Sequence, residues 1–229
     1  DKDASIAAAQ PKLRAYDRRD EFEYAGAAGG YLDRFAYPFC RGRIFEVVEK
    51  DMGQYDDVRN IFWASGACLF VRSKAYWEAG GLDEDFFAHQ EEIDLCWRID
   101  NLGYRTICVP QSVVYHVGGG SLQYGNPRKT YLNFRNSLMM MFKNLPLGQL
   151  LWKMPLRFNL DNLAALQALL KGNFKTFWAI QKAQFYFVFH LPMLIRKRAA
   201  VKRKTAASLY PISIVWKYFY EGKTKFSDL

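Results

Sequence analysis

The sequence predicts an α/β arrangement in its first part, short strands around one well-marked helix, followed by a mostly α-helical region. Three observations carry this. Residues 61–116 alternate short apolar runs with Gly- and Pro-marked turns around a single helical pattern. Residues 126–204 repeat apolar side chains at helical spacing, with Asn, Pro and Gly at the boundaries. Charge divides the chain in the same way: residues 1–110 hold 14 Lys/Arg against 20 Asp/Glu, and residues 111–229 hold 18 against 3, so the overall +9 conceals two different surfaces. Half of the 229 residues are apolar and 17% are aromatic, which excludes a disordered chain and supplies a sizeable core. The expected division is residues 1–125 and residues 126–229.

The first 60 residues read as an irregular lead-in. A strand near residues 5–9 should stop at Pro11. Gly26, Gly29 and Gly30 read as turns, because they lack the spacing of a dinucleotide fingerprint. In YPFCRGR, Arg41 and Arg43 suit an anionic ligand and an exposed basic loop equally well. IFWASGACLFV, interrupted at Ser65 and Gly66, suits a bend entering a buried strand. Gly80 and Gly81 mark a turn. EEIDLCWRIDNLG reads as a helix stopped by Gly103, and YRTICVP and SVVYH as two short buried strands parted by Pro110.

On that helix, about 100° per residue places Glu92 inside the apolar arc of Leu95, Cys96, Ile99 and Leu102. Glu91, Asp94 and Arg98 share the neighbouring face, where Asp94 and Arg98 have ion-pair spacing. A carboxylate at an apolar position is costly unless it is hydrogen-bonded or set in a pocket, and a general base needs such a place. The alternative needs no function: an acid at a helix N-terminus is favoured by the dipole.

After GGGS, Asn126-Pro127 should open a helix ending near Asn144, with Tyr131, Phe134, Leu138, Met141 and Phe142 on one face. Further helices are expected over residues 147–158 with a break at Pro155, over 162–171 with Asp161 as N-cap and Gly172 as stop, and over 174–190. The last carries seven aromatics and runs into RKRAAVKRK. Aromatic faces beside Lys/Arg clusters suit an anionic membrane surface; plain helix packing is the alternative. Nucleic acid is disfavoured, since no recognised module accompanies the basic run. The apolar run at residues 185–195 falls short of the ~20 residues a spanning helix needs. Cys40, Cys68, Cys96 and Cys108 lack the spacing of a zinc ribbon or disulfide scaffold and point to a reducing compartment. With no signal-peptide pattern in the opening DKDAS, a cytoplasmic, peripheral position at the inner face of the cell membrane is expected.

The succession WASGACLFVRSKAYWEAGGLDEDFFAHQEEIDLCWRIDNLGYRTICVPQSVVYHVGGGS, residues 63–121, holds several elements in a fixed order. They are a small-residue GA before a strand, GGLDEDFF, an acidic pair with I-D-L-x-x-R, a helix-ending Gly, and a His after V-V-Y. This order resembles the C-terminal half of the catalytic domain of family 2 inverting glycosyltransferases with the GT-A fold, in particular their rhamnosyltransferase-like branch. The resemblance implies a partial Rossmann-like sheet, a nucleotide-sugar donor, and a polysaccharide or lipid-linked acceptor. It implies Glu92 as general base, flanked by Glu91 and Asp94, although the family usually has Asp at this second acid. Trp63, Ser65, Gly66, Asp83 and Arg98 would contact substrate, with a turn cap as the alternative for Asp83, and His116 would complete a divalent magnesium or manganese site, with a hydrogen-bonded strand end as its alternative.

The family's D-x-D motif follows an apolar strand, and Asp1-Lys2-Asp3 has that spelling without the strand. The resemblance therefore implies a chain lacking about 100 residues of nucleotide-binding half. Such a piece should not turn over alone, and its open sheet edges should favour self-association. The contrasting reading is a non-catalytic, membrane-associated scaffolding module derived from the transferase fold.

Overall fold

The computed structural model describes residues 3–118, 126–204 and 208–229; Asp1 and Lys2 of the DKD triplet and residues 119–121 of the GGGS run lie outside them. The architecture is mixed α/β with a helical C-terminal half, as the sequence predicts. Two compact units are present, one comprising Asp1–Gly81, Leu95–Gly118 and Ser208–Leu229, the other Leu82–Asp94 and Gly119–Ala207. Both are discontinuous, in contrast to the single boundary at residue 125.

The sheet unit begins with β1 (Ile6–Ala15), then β2 (Gly30–Leu32), β3 (Pro38–Cys40), β4 (Arg43–Ile44) and β5 (Val47–Val48), which form an antiparallel meander. The expected irregular lead-in is thus a four-stranded sheet plus a central strand. β6 (Arg59–Ile61), β7 (Phe70–Val71), α1 (Ser73–Glu78), α2 (Glu91–Asn101) and β8 (Arg105–His116) follow, and the second sheet has the order β6-β8-β1-β7. β1 and β8 run parallel from Ile6 opposite Arg105 to Ala15 opposite His116.

Pro11 does not end β1, and Pro110 does not divide β8. β7 pairs only Ala8 and Ala9, and the β1–β8 register slips between Pro11 and Lys12. Each proline therefore sits where the ladder is already interrupted and its missing N–H costs little. β8 is buried only in part, and β7 is a sheet edge with Phe70 exposed rather than a buried strand. Gly30 is a strand residue rather than a turn: a Cβ there would lie 2.0 Å from Cε2 of Trp63. Arg41 and Arg43 form no exposed loop. Both are buried, Arg41 paired with Asp57 and stacked on Tyr55, Arg43 stacked on Tyr24.

α2 ends at a left-handed Gly103, as expected, but it is not amphipathic in the expected sense. Every residue from Ile93 to Ile99 is buried, including Trp97 opposite the apolar arc and the charged Asp94 and Arg98. Leu95 and Ile99 join Ala7, Ala8 and Ala75 in one core cluster, while Trp97 meets Phe62 edge-on. The C-terminal residues return to this unit: Tyr210 N–H donates to Leu32 O, and the N–H of Ile214, which opens α7 (Ile214–Phe219), donates to Asp33.

The helical unit holds α3 (Pro127–Asn144), α4 (Leu147–Leu170), α5 (Phe174–Phe189) and α6 (Leu191–Ala200). Asn126 caps α3 as expected, accepting from Arg128 N–H at 2.9 Å. α4 is one helix, not two. Pro155 lies inside it, and Asp161 is no cap but a buried acceptor for Arg157 Nε at 2.8 Å. An interior proline costs about 3 kcal/mol; here that buried pair and the packing of Phe158 against Phe187 of α5 keep the helix continuous. Asn173 caps α5, and α6 restarts at Leu191 with Pro192 in its first turn. Among the described residues no helix is long and apolar enough to cross a membrane.

Candidate functional site

Gly80 and Gly81 adopt left-handed backbone, closing the turn that the sequence marks. Beyond them Asp83 accepts from Asp85 N–H and caps a short 3-10 turn, Glu84–Phe86. The backbone then becomes unusual: Phe87, His89 and Gln90 have φ of 61°, 69° and 69°, three left-handed non-glycine residues directly before α2. Each such residue is disfavoured by about 1 kcal/mol or more, so surrounding contacts must impose the conformation.

Those contacts come from α3, within the same unit. Asn136 Nδ2 donates to the carbonyls of Phe86, Ala88 and His89 at 3.1, 2.8 and 2.6 Å. Arg135 Nη2 donates to Asp85 O and Phe86 O, both at 2.8 Å, and Gln90 Nε2 returns a bond to Asn133 O at 3.0 Å. A carbonyl-rich loop is thereby fixed by one helix face, and α2 starts from a defined place.

Ion pairs fix the same segment from its two ends. Lys143 Nζ bridges Asp83 at 2.7 Å and Asp94 at 2.8 Å, Asn144 Nδ2 donates to Asp94 at 2.8 Å, and Lys197 Nζ reaches Asp83 and Asp85. Burial pushes the Asp83 carboxyl up, but the Lys143 ammonium and then Lys197 override it and bring it to about 2. Burial likewise pulls the Lys197 ammonium down, and Asp83 and Asp85 more than reverse it, leaving it raised. Asp94, expected to be satisfied on its own helix, is fully buried and draws these partners from α3.

Between those anchors lie the acids that the sequence singled out. Glu91 and Glu92 are half-buried in the first turn of α2. Glu91 Oε2, Gln90 Oε1 and His89 Nε2 are buried and have no hydrogen-bond partner among the described residues. Orphaned buried polar atoms are rare and mark places where a ligand or water is accommodated. Burial, and then the Lys129 charge, push the His89 imidazole down, so it is neutral at ordinary pH.

The remaining predicted residues belong to the sheet unit. Trp63 is 3% exposed, its Nε1 donating to Tyr31 O at 3.0 Å, and Ser65 is buried with its N–H on Gln10 Oε1 at 2.8 Å. Their polar groups are thus engaged in packing the meander against β1, whereas Gly66 is exposed in the turn. Arg98 donates through Nη1 to Ala79 O. His116, at the end of β8, has Nδ1 3.3 Å from Oε1 of the buried Glu23. Among the described residues no three His, Cys, Asp or Glu side chains stand together as a metal site. All four cysteines are free.

The sequence singles out the acids and not the residues that hold their segment. Asn133, Arg135 and Asn136 lie in a helix judged by its aromatic spacing, and the available signal was a polar NFRN run inside that pattern.

No family model matches the chain. Over 110 residues, 48% of the chain, it is 31% identical to N-acetylglucosaminyl-diphospho-decaprenol L-rhamnosyltransferase of Mycobacterium tuberculosis, in strains CDC 1551 / Oshkosh and ATCC 25618 / H37Rv alike. The chain spans about a third of the length of these relatives, 35%. The resemblance drawn from the motifs is thus met by a similarity in sequence to a rhamnosyltransferase. Among solved structures, a crystal structure of GalNAc-T7 with UDP, GalNAc and Mn2+ overlaps 62% of this chain and 27% of its own at a TM-score of 0.41 and 14% identity.

Proposed function

We propose that this chain is the acceptor and base portion of an inverting GT-A glycosyltransferase, using a nucleotide-sugar donor and a glycan or lipid-linked acceptor. One observation carries the reading: the left-handed backbone at Phe87, His89 and Gln90, held by Asn136 and Arg135, sets Glu91 and Glu92 at the start of α2. Strain of this kind is maintained where side-chain placement matters. The similarity to a rhamnosyltransferase that acts on a diphospho-decaprenol supports the same class of acceptor.

In this reading Glu92 takes the proton of the acceptor hydroxyl as its oxygen attacks the anomeric carbon. The new carbon–oxygen bond forms as the bond to the diphosphate breaks, nucleoside diphosphate leaves with the electron pair, and the configuration inverts. Asp83, Asp94, Lys143 and Lys197 are positioning residues that hold the segment. Trp63, Ser65, Gly66, Arg98 and His116 remain proposed substrate and metal contacts, and no step is routed through a metal. In this reading donor binding is the work of the transferase's other half, and the acceptor and base portion alone turns nothing over. Leucines and aromatics exposed along α4 and α5, among basic residues, support docking at an anionic membrane surface.

The test is Glu92→Gln in the full-length gene product. Transfer should fall at least ~100-fold while donor binding stays within about twofold, as loss of a general base requires. Unchanged transfer would overturn the assignment of Glu92 as the base, and absence of transfer by the parent would favour the non-catalytic module.

A further inference from the structure

A groove of about 850 Å³ in the helical unit is lined by Arg128 and Tyr131 of α3 and by Phe174, Lys175, Trp178 and Lys182 of α5. Its size is that of a small-molecule site. Its cations are not neutralised from within. Residues 126–204 contain 15 Lys/Arg and a single acid, Asp161, which is bonded to Arg157. Lys143 and Lys197 are occupied by Asp83, Asp85 and Asp94, whereas among the described residues neither Lys175 nor Lys182 meets a carboxylate, and Arg128 stacks on the Phe87 ring. Lys175 and Lys182 are seven residues apart, within about 20° of each other around α5.

The rings continue out of the groove. Phe174, Trp178, Phe185 and Phe189 fall within an arc of about 60° on α5, and all four are more than half exposed. An anion of two or more charges satisfies the cations, and a hydrocarbon chain satisfies the stripe that leads away from them. A nucleotide would leave the stripe uncovered, and a bare anion would leave the rings unused.

We propose that this groove holds the diphosphate of a lipid-linked substrate, with its phosphates on Arg128, Lys175 and Lys182 and its hydrocarbon along the aromatic stripe of α5. This rests on the lipid-linked acceptor of the proposed function and adds where the lipid end is held. The probe is farnesyl diphosphate, titrated calorimetrically into the full-length gene product without donor, beside inorganic pyrophosphate and phosphatidylglycerol vesicles. Farnesyl diphosphate should bind at least ~10-fold tighter than pyrophosphate because the chain buries apolar surface. Lys175→Gln with Lys182→Gln should weaken it at least ~10-fold by removing charge-assisted bonds. Trp178→Ala should weaken farnesyl diphosphate and leave pyrophosphate unchanged. Arg128→Gln serves if the double variant does not fold, with a loss of ~5-fold or more expected. Equal affinity for the two diphosphates overturns the proposal, as does loss of vesicle binding in the variants with no farnesyl diphosphate binding by the parent, which marks a bulk-lipid contact. Binding is read without transfer, so failure here is distinct from failure of the Glu92→Gln test, and Glu92→Gln should bind farnesyl diphosphate as the parent does.

Discussion

In the sheet unit the large, fully buried side chains are mostly apolar, Leu13, Phe22, Leu32, Phe39, Ile44, Leu95 and Trp97 among them, although Lys12, Glu23, Asp33, Arg41 and Arg43 are buried there too. In the helical unit α3 buries Leu138 and Met139 to Met141, yet α3 and α4 also bury Asn136, Lys143, Asn144, Arg157 and Asp161. That unit turns leucines and aromatics outward: Leu163, Leu166 and Leu170 on α4, Phe174, Trp178, Phe185 and Phe189 on α5, with Leu170 at 79% and Phe189 at 77% exposed. The sheet unit also exposes apolar residues, Phe70 and Trp77 singly and Trp216, Phe219 and Tyr220 together at the short α7, but none in a run as long as those of α4 and α5. Periodic exposure along two helices is different. It shows that the charges of the helical unit hold its own loop together while its apolar surface is left for something else.

The sharpest way to break this contrast is to remove the central charge. Lys143→Met leaves Asp83 and Asp94 facing each other without their shared ammonium, and stability should fall by about 3–5 kcal/mol, the cost of breaking a buried pair. Lys50→Met, which breaks the exposed Lys50–Asp20 pair of the sheet unit, should leave the urea midpoint unchanged. If the two variants behave alike, the buried network does not stabilise the helical unit.

Glycine substitutions sharpen the contrast at intermediate magnitude. Gly30→Ala drives a Cβ into the Trp63 ring, which is buried and has no room to shift, and should cost about 1–3 kcal/mol. Gly148→Ala, near the start of α4 with nothing within 4 Å, should gain up to about 0.5 kcal/mol through helix propensity. Thermal unfolding of both variants decides it; a neutral Gly30→Ala would mean that the meander and Trp63 are loosely packed.

How far this arrangement was legible in the sequence follows from the same division. Where signals are local, the reading holds: Asn126 caps α3, Gly103 ends α2, and Gly80 and Gly81 form their turn. Where long-range partners decide, it does not. Pro11 and Pro110 read locally as strand breaks, but the β1–β8 register shift removes the ladder positions they would spoil. Asp161 reads as a cap because capping is what an exposed Asp does, whereas Arg157 one turn away takes it inside. The wheel placed Glu92 among apolar residues, yet nothing local announces Asn136, whose amide acts on carbonyls about 50 positions earlier.

The smallest expected change in stability is also the one that decides what the outward face is for. Leu163→Gln with Phe185→Gln replaces two side chains that are 61% and 55% exposed, so folding free energy should move by no more than about 0.5 kcal/mol. Phosphatidylglycerol vesicles give the opposite expectation. Each side chain that enters the interface contributes roughly 1 kcal/mol, a fraction of the 1.5–3 kcal/mol for full burial, so the pair should weaken cosedimentation by roughly 10-fold or more. Trp77→Gln in the sheet unit, 73% exposed but isolated, should leave vesicle binding unchanged. A large loss of stability in the double variant would mean that the stripes are packing surface after all, and unchanged vesicle binding would mean that their occupant is not a membrane. Only a neutral effect on folding together with a large effect on binding fits a helical unit whose outward apolar stripes meet lipid.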